Sequence, residues 1–107
     1  GGPGGGLVSL DRGATQGVNH AEWHALRAAI LYQQDRYRES INAYKTALQA
    51  RPTEGLWWTG LAIASEHDLR PRDALSAYRR AARLQLTEAV RGYVDQRIQA
   101  LQTTDGS

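Results

Sequence analysis

The sequence predicts an all-α fold: two helical hairpins stacked as an α-solenoid and closed by a C-terminal capping helix. Three observations lead to it. The first is an internal repeat with a spacing of 34 residues: Tyr44 and Ala47 return as Tyr78 and Ala81, Ala28 as Ala62, His24 as Trp58 and Ile41 as Leu75. Small and aromatic residues recurring at fixed places with this period mark stacked helix-turn-helix units. The second is punctuation. Polar breaks at Asp35-Arg36 and at His67 to Arg70 divide each unit into two helices. Pro52 cannot continue a helix, whereas Pro71 suits a first helical position, where its missing amide proton costs nothing. The third is a set of capping residues, Asn19, Thr53 and Thr87, recurring at the same spacing.

In chain order, residues 1–17 are rich in glycine and lack helical periodicity, so a disordered linker or an appended remnant is expected there. Leu7, Val8 and Leu10 are its apolar residues. The folded domain is expected over 18–102. Asn19 caps the first helix, Glu22 completes a capping-box-like pair, and Val18 and Trp23 stand at the staple positions. This helix runs to about Gln34, and a second from about Tyr37 to Ala50. Thr53 is read as the cap of a third helix, with Glu54 in its first turn favoured by the helix dipole. That helix ends near His67, and a fourth runs from Pro71 to near Leu84. The repeats are therefore about 21–54 and 55–88. A fifth helix over 88–101 carries Val90, Val94, Ile98 and Leu101 at helical spacing. Its other faces are polar, as befits a terminal cap. A flexible tail over 103–107 is expected to follow.

The core follows from the same pattern. Ala28, Ala47, Ala62, Ala74 and Ala81 let backbones approach, and Leu31, Ile41, Tyr44, Trp58, Leu61, Leu75 and Tyr78 fill the spaces between helices. A single hairpin cannot bury its apolar face, so neighbours stack, and about three repeats are usually needed. Either the cap suffices, or a preceding repeat has been cut away, or the chain oligomerises. Position 1 is glycine and the chain has no methionine, which is expected of a processed or excised piece.

Composition and motifs narrow the function classes. Without cysteine there are no disulfides and no thiol chemistry. A net charge of +2 does not by itself argue for nucleic acid. No apolar run approaches the roughly 18 residues of a membrane span. His20, Glu22 and His24 form a His-x-Glu-x-His group with no third ligand nearby in sequence, so no metal site is assigned. No Ser/His/Asp grouping and no phosphate-cradling glycine loop stand out, so neither an enzyme nor a cofactor or small-molecule substrate is expected. Arg70, Arg72, Arg79, Arg80 and Arg83 crowd the fourth helix against Asp73 alone. A solvated outer face is the plain reading; a nucleic-acid or anionic-surface binder is the alternative.

Trp58, Leu61, Ala62, Ser65, Ala74, Tyr78 and Ala81, with weaker counterparts in the first unit, resemble the consensus of the tetratricopeptide repeat (TPR) family over residues 21–88. The resemblance implies a right-handed superhelix and a non-catalytic scaffold that binds a protein or peptide partner in the concave groove lined by the first helix of each pair. Carried over by position, that groove comprises Glu22, Ala25, Ala29, Tyr32 and Gln33, then Leu56, Thr59, Ile63, Glu66 and His67. It lacks the lysine and asparagine cluster with which some TPR domains clamp a C-terminal carboxylate. Leu56 and Ile63 suit either groove or further core. Trp57 and Trp58 point about 100° apart. With Trp58 in the core, Trp57 is partly exposed and is either a binding anchor or packing for the neighbouring hairpin.

A narrower resemblance lies in the run from Gly55 to Ile63, in Tyr78, Arg80 and Ala81, and in Tyr93 to Leu101. These segments look like the C-terminal TPR region of mannose-sensitive haemagglutinin (type IV) pilus biogenesis proteins. That resemblance implies a bacterial scaffold for pilus or secretion assembly on the periplasmic side of the inner membrane. Membrane attachment would come only through an anchor outside this chain.

Overall fold

The computed structural model describes residues 20–106, and within them five α-helices. They are α1 (His20–Gln33), α2 (Tyr37–Ala50), α3 (Gly55–His67), α4 (Pro71–Ala82) and α5 (Glu88–Gly106). The Asn19 cap, the Val18 staple position and the linker over 1–17 lie outside the described residues. Helix α1 packs on α2 and α3 on α4; α2 then joins the hairpins through α3, and α4 carries α5. This is the α-solenoid of two hairpins and a cap.

The two hairpin turns close by one device. Asp35 and Leu69, spaced by the repeat period, both adopt positive φ, 62° and 60°. In the first turn the Arg36 amide donates to the Leu31 carbonyl at 2.9 Å and the Asp35 amide to that of Tyr32 at 3.0 Å. In the second, the Arg70 amide donates to Ser65 at 2.9 Å and the Leu69 amide to Glu66 at 3.0 Å. Each is a Schellman closure, which satisfies the carbonyls that a helix end leaves free.

Pro71 stands in the first turn of α4, and the Thr87 hydroxyl accepts from the Val90 amide at 3.2 Å, capping α5. Thr53 does not cap α3. That helix starts one residue later than the spacing implies, with Glu54 at the N-cap and no side-chain cap bond. The Glu54 carboxylate is held instead by the Arg51 guanidinium. The expected tail is shorter than the sequence reading has it, because α5 continues to Gly106. No breaking residue precedes that glycine, and the Thr103 hydroxyl bonds back to the Gln99 carbonyl at 2.9 Å.

The small residues sit at the closest approaches: Ala28, Ala47, Ala62, Ala74 and Ala81 are all fully buried. Around them pack Ile41, Leu48, Leu61, Leu75, Tyr78, Val94 and Leu101. A buried Ser40 hydroxyl donates to the Ala28 carbonyl at 2.7 Å and fastens α2 to α1. Trp58 departs from its expected place. It is half-buried between α2 and α4, its indole N–H donates to the Pro52 carbonyl at 2.7 Å, and the Arg80 guanidinium lies 5.0 Å from its ring centre. An indole N–H needs an acceptor when buried, and a carbonyl at the inter-repeat turn draws the ring outward.

Candidate partner-binding groove

Helical geometry decides which side of α3 faces the groove. Leu56, Ile63 and His67 fall on one stripe, at positions i, i+7 and i+11. Leu56 is 62% exposed, Ile63 half-buried and His67 exposed. Gly60 lies between them, and the Tyr44 ring from α2 fills its vacant side: a Cβ there would come within 2.4 Å of that ring. The glycine thus lets an aromatic side chain reach up between α1 and α3.

Between α1 and α3 runs a cleft lined by Glu22, Ala25, Leu26 and Ala29 on one wall and by Leu56 and Trp57 on the other. Leu26, 49% exposed, occupies the position in α1 that Gly60 occupies in α3. Arg51 closes one end of the cleft. It pairs with Glu54 and, at 3.3 Å, with Glu22, and its guanidinium lies 5.1 Å from the Trp57 ring centre. Two carboxylates thus share one guanidinium at this rim, and the rest of the cleft wall is chiefly apolar.

The opposite end is aromatic. The Tyr32 hydroxyl and His67 Nε2 share a hydrogen bond at 3.1 Å, and the Tyr37 ring lies 5.1 Å from that of His67. Gln33 is exposed beside this cluster. Further along, Ile63, Glu66 and His67 face Tyr93, Gln96 and Arg97 of α5 across a second shallow cleft. Here Glu66 is committed within the fold. Its carboxylate accepts from the Tyr78 hydroxyl at 2.7 Å and from Arg97 Nε at 3.0 Å, with a second Arg97 nitrogen on its other oxygen. Burial alone would push the Glu66 carboxyl up; the bonds from Arg97 and Tyr78 and the nearby charges outweigh it and hold it below its ordinary value. Tyr78 is pushed the other way, by burial and by its contacts with Tyr93 and Glu66.

Of the groove positions read from the sequence, Glu22, Leu56 and Trp57 line the α1–α3 cleft, Ile63, Glu66 and His67 line the second cleft, Tyr32 bonds to His67, and Gln33 is exposed. Thr59 lines neither cleft. It is 4% exposed and its hydroxyl is satisfied by the Gly55 carbonyl at 2.9 Å. Sequence reasoning missed Leu26, which the repeat period places opposite Gly60. It also missed Arg51, Tyr93 and Arg97, which reach the groove from other elements. His20 and His24 meet edge to face at 4.8 Å. Burial, then the charges of His20 and Arg27, lower the His24 pKa. Among the described residues no group of three or more metal-ligating side chains is gathered.

The tetratricopeptide repeat family matches residues 21–54, which hold α1, α2 and the turn into α3. No curated protein matches the chain. Tetratricopeptide repeats generally mediate protein–protein interaction.

Proposed function

We propose that the chain is a non-catalytic scaffold that takes an extended or helical segment of a partner protein along the α1–α3 cleft. One observation carries this reading: Leu56 and Leu26 stand exposed on facing walls, with the half-buried Trp57 beside them. Exposed apolar side chains gathered in a cleft mark an interaction site more strongly than the same side chains scattered over a surface. Trp57 supplies an aromatic anchor, and Arg51 beside it is already held by Glu22 and Glu54, both of which keep solvent-exposed surface. Tyr32, Gln33 and His67 offer hydrogen bonds at the far end. Thr59 has no part in it, and Glu66 acts by fixing α5 against α3.

Selection of peptides from a random display library on the immobilised chain tests the reading. Enriched peptides are expected to carry apolar residues and to lose about tenfold or more in affinity on a Leu26→Asp/Leu56→Asp variant, changed at the two exposed leucines of the cleft. Helicity measured by circular dichroism must match the wild type. Undiminished binding to that folded variant removes the groove as the site.

The finer reading, a scaffold in type IV pilus or secretion assembly, rests on the Gly55 to Ile63 run and on Tyr93 to Leu101. Capture from a pilus-bearing bacterium, with the same pair of proteins as bait, tests it. Pilus components held by the wild type and lost by the variant support the assignment; their absence from both removes it.

A further inference from the structure

The face of α4 turned away from the groove carries a second surface. Arg72, Arg79 and Arg83 stand at i, i+7 and i+11, within about 40° of one another around the helix axis. With Ser76, Leu75 and Arg80 they line one shallow depression. Among the described residues no carboxylate lies within ion-pair distance of Arg79, Arg80 or Arg83, whereas Arg70 at the start of the helix pairs with Asp68 at 2.8 Å. Arg80 is held over the Trp58 ring, so its guanidinium is placed as well as charged.

The surroundings decide what this surface fits. A protein interface needs an apolar centre, and an interfacial membrane site needs apolar side chains beside the basic ones. Neither is present on this stripe: Leu75 is 5% exposed and the remaining lining is serine and arginine. A single strand would call for aromatic rings on which bases stack, and Trp58 is covered by Arg80. A phosphodiester backbone asks only for charge, and the planar fork of arginine matches phosphate with two bonds. From Arg72 to Arg83 the helix rises by roughly 16 Å, enough to straddle a major groove of roughly 12 Å.

We infer that the α4 face of Arg72, Arg79, Arg80 and Arg83 docks on the backbone of a nucleic-acid duplex, without reading its sequence. This surface is separate from the partner groove, and one can be lost without the other.

The test is fluorescence anisotropy with a labelled DNA duplex of about 20 base pairs, titrated between about 50 and 200 mM salt. About three phosphate contacts give a slope of log affinity against log salt near −3, or about fortyfold weaker binding across that range. Two variants of equal net charge separate the patch from charge in general. Arg79→Gln/Arg83→Gln removes two cations from the stripe; Gln99→Glu/Gln102→Glu adds two anions on exposed positions of α5. The first is expected to weaken binding at least tenfold at the lower salt, and the second to leave it within about twofold of wild type. Equal losses in both variants, a slope shallower than about −1, or no binding at about 100 μM chain in low salt would each overturn the inference. Tighter retention on phosphatidylserine vesicles or on polyglutamate than on the duplex would overturn the choice of occupant.

Discussion

Leu69 sits in the left-handed region at the end of α3, 87% exposed. A leucine there carries roughly 1–2 kcal/mol of steric cost and buries almost nothing in return. Leu69→Gly is therefore expected to stabilise the domain by about 1 kcal/mol, read as a raised urea midpoint with an unchanged slope. Two glycines inside helices, Gly60 and Gly92, should answer oppositely to alanine. Gly92 faces open space, so Gly92→Ala gains about 0.5–1 kcal/mol of helix propensity. Gly60→Ala drives a methyl group into the Tyr44 ring and should cost about 1–3 kcal/mol despite the same propensity gain. A common sign for both in denaturant unfolding would mean the Tyr44 ring does not occupy that space. Single residues were the least legible part of the sequence. A glycine preserving room for a tyrosine from another helix leaves no local signal. Trp58, placed in the core by its repeat position, is half-out because its indole N–H follows an acceptor in the Pro52 turn. Trp58→Ala is accordingly expected to cost about 2 kcal/mol, less than a fully buried tryptophan.

Elements were far more legible, because period and punctuation are local. The helices, both polar breaks and the Pro71 start were readable, and Thr87 works as read. Thr53 failed because the spacing rule locates a cap only to within a residue. Thr87→Ala should cost about 1 kcal/mol, whereas Thr53→Ala, lacking a cap bond, should stay within about 0.5 kcal/mol of zero. What joins elements was not legible at all: the Glu66 bonds to Tyr78 and Arg97 span 12 and 31 residues. Their consequence is a pH dependence. The Glu66 carboxyl is held low in the fold and is ordinary when unfolded, so the unfolded chain binds its proton more readily. Stability from this brace is therefore present above the ordinary glutamate range and is lost as pH falls through the folded value. Urea midpoints should decline between about pH 5 and pH 3, and Glu66→Gln should flatten that decline while lowering stability at neutral pH. A wild-type slope retained in Glu66→Gln would place the acid sensitivity elsewhere.

At the scale of the molecule, stacking two hairpins and a cap produces two unlike faces. First helices leave an apolar cleft, and the arginines of α4 collect on the other side. The arginines and one wall of the cleft were legible in the sequence; Leu26 on the facing wall and the placement of the two surfaces on different sides of the stack were not. The tryptophans report on this arrangement. Trp57 borders the cleft and Trp58 lies between α2 and α4, so adjacent residues sample opposite faces. The indole N–H region of a proton–nitrogen NMR spectrum holds one signal for each of the three tryptophans. Titrating a library-selected peptide into the labelled chain is the most direct test of the groove. The Trp57 signal is expected to shift with saturation while that of Trp58, bonded to the Pro52 carbonyl, stays in place. A fixed Trp57 signal with movement of Trp58 or Trp23 would contradict the groove as the partner site.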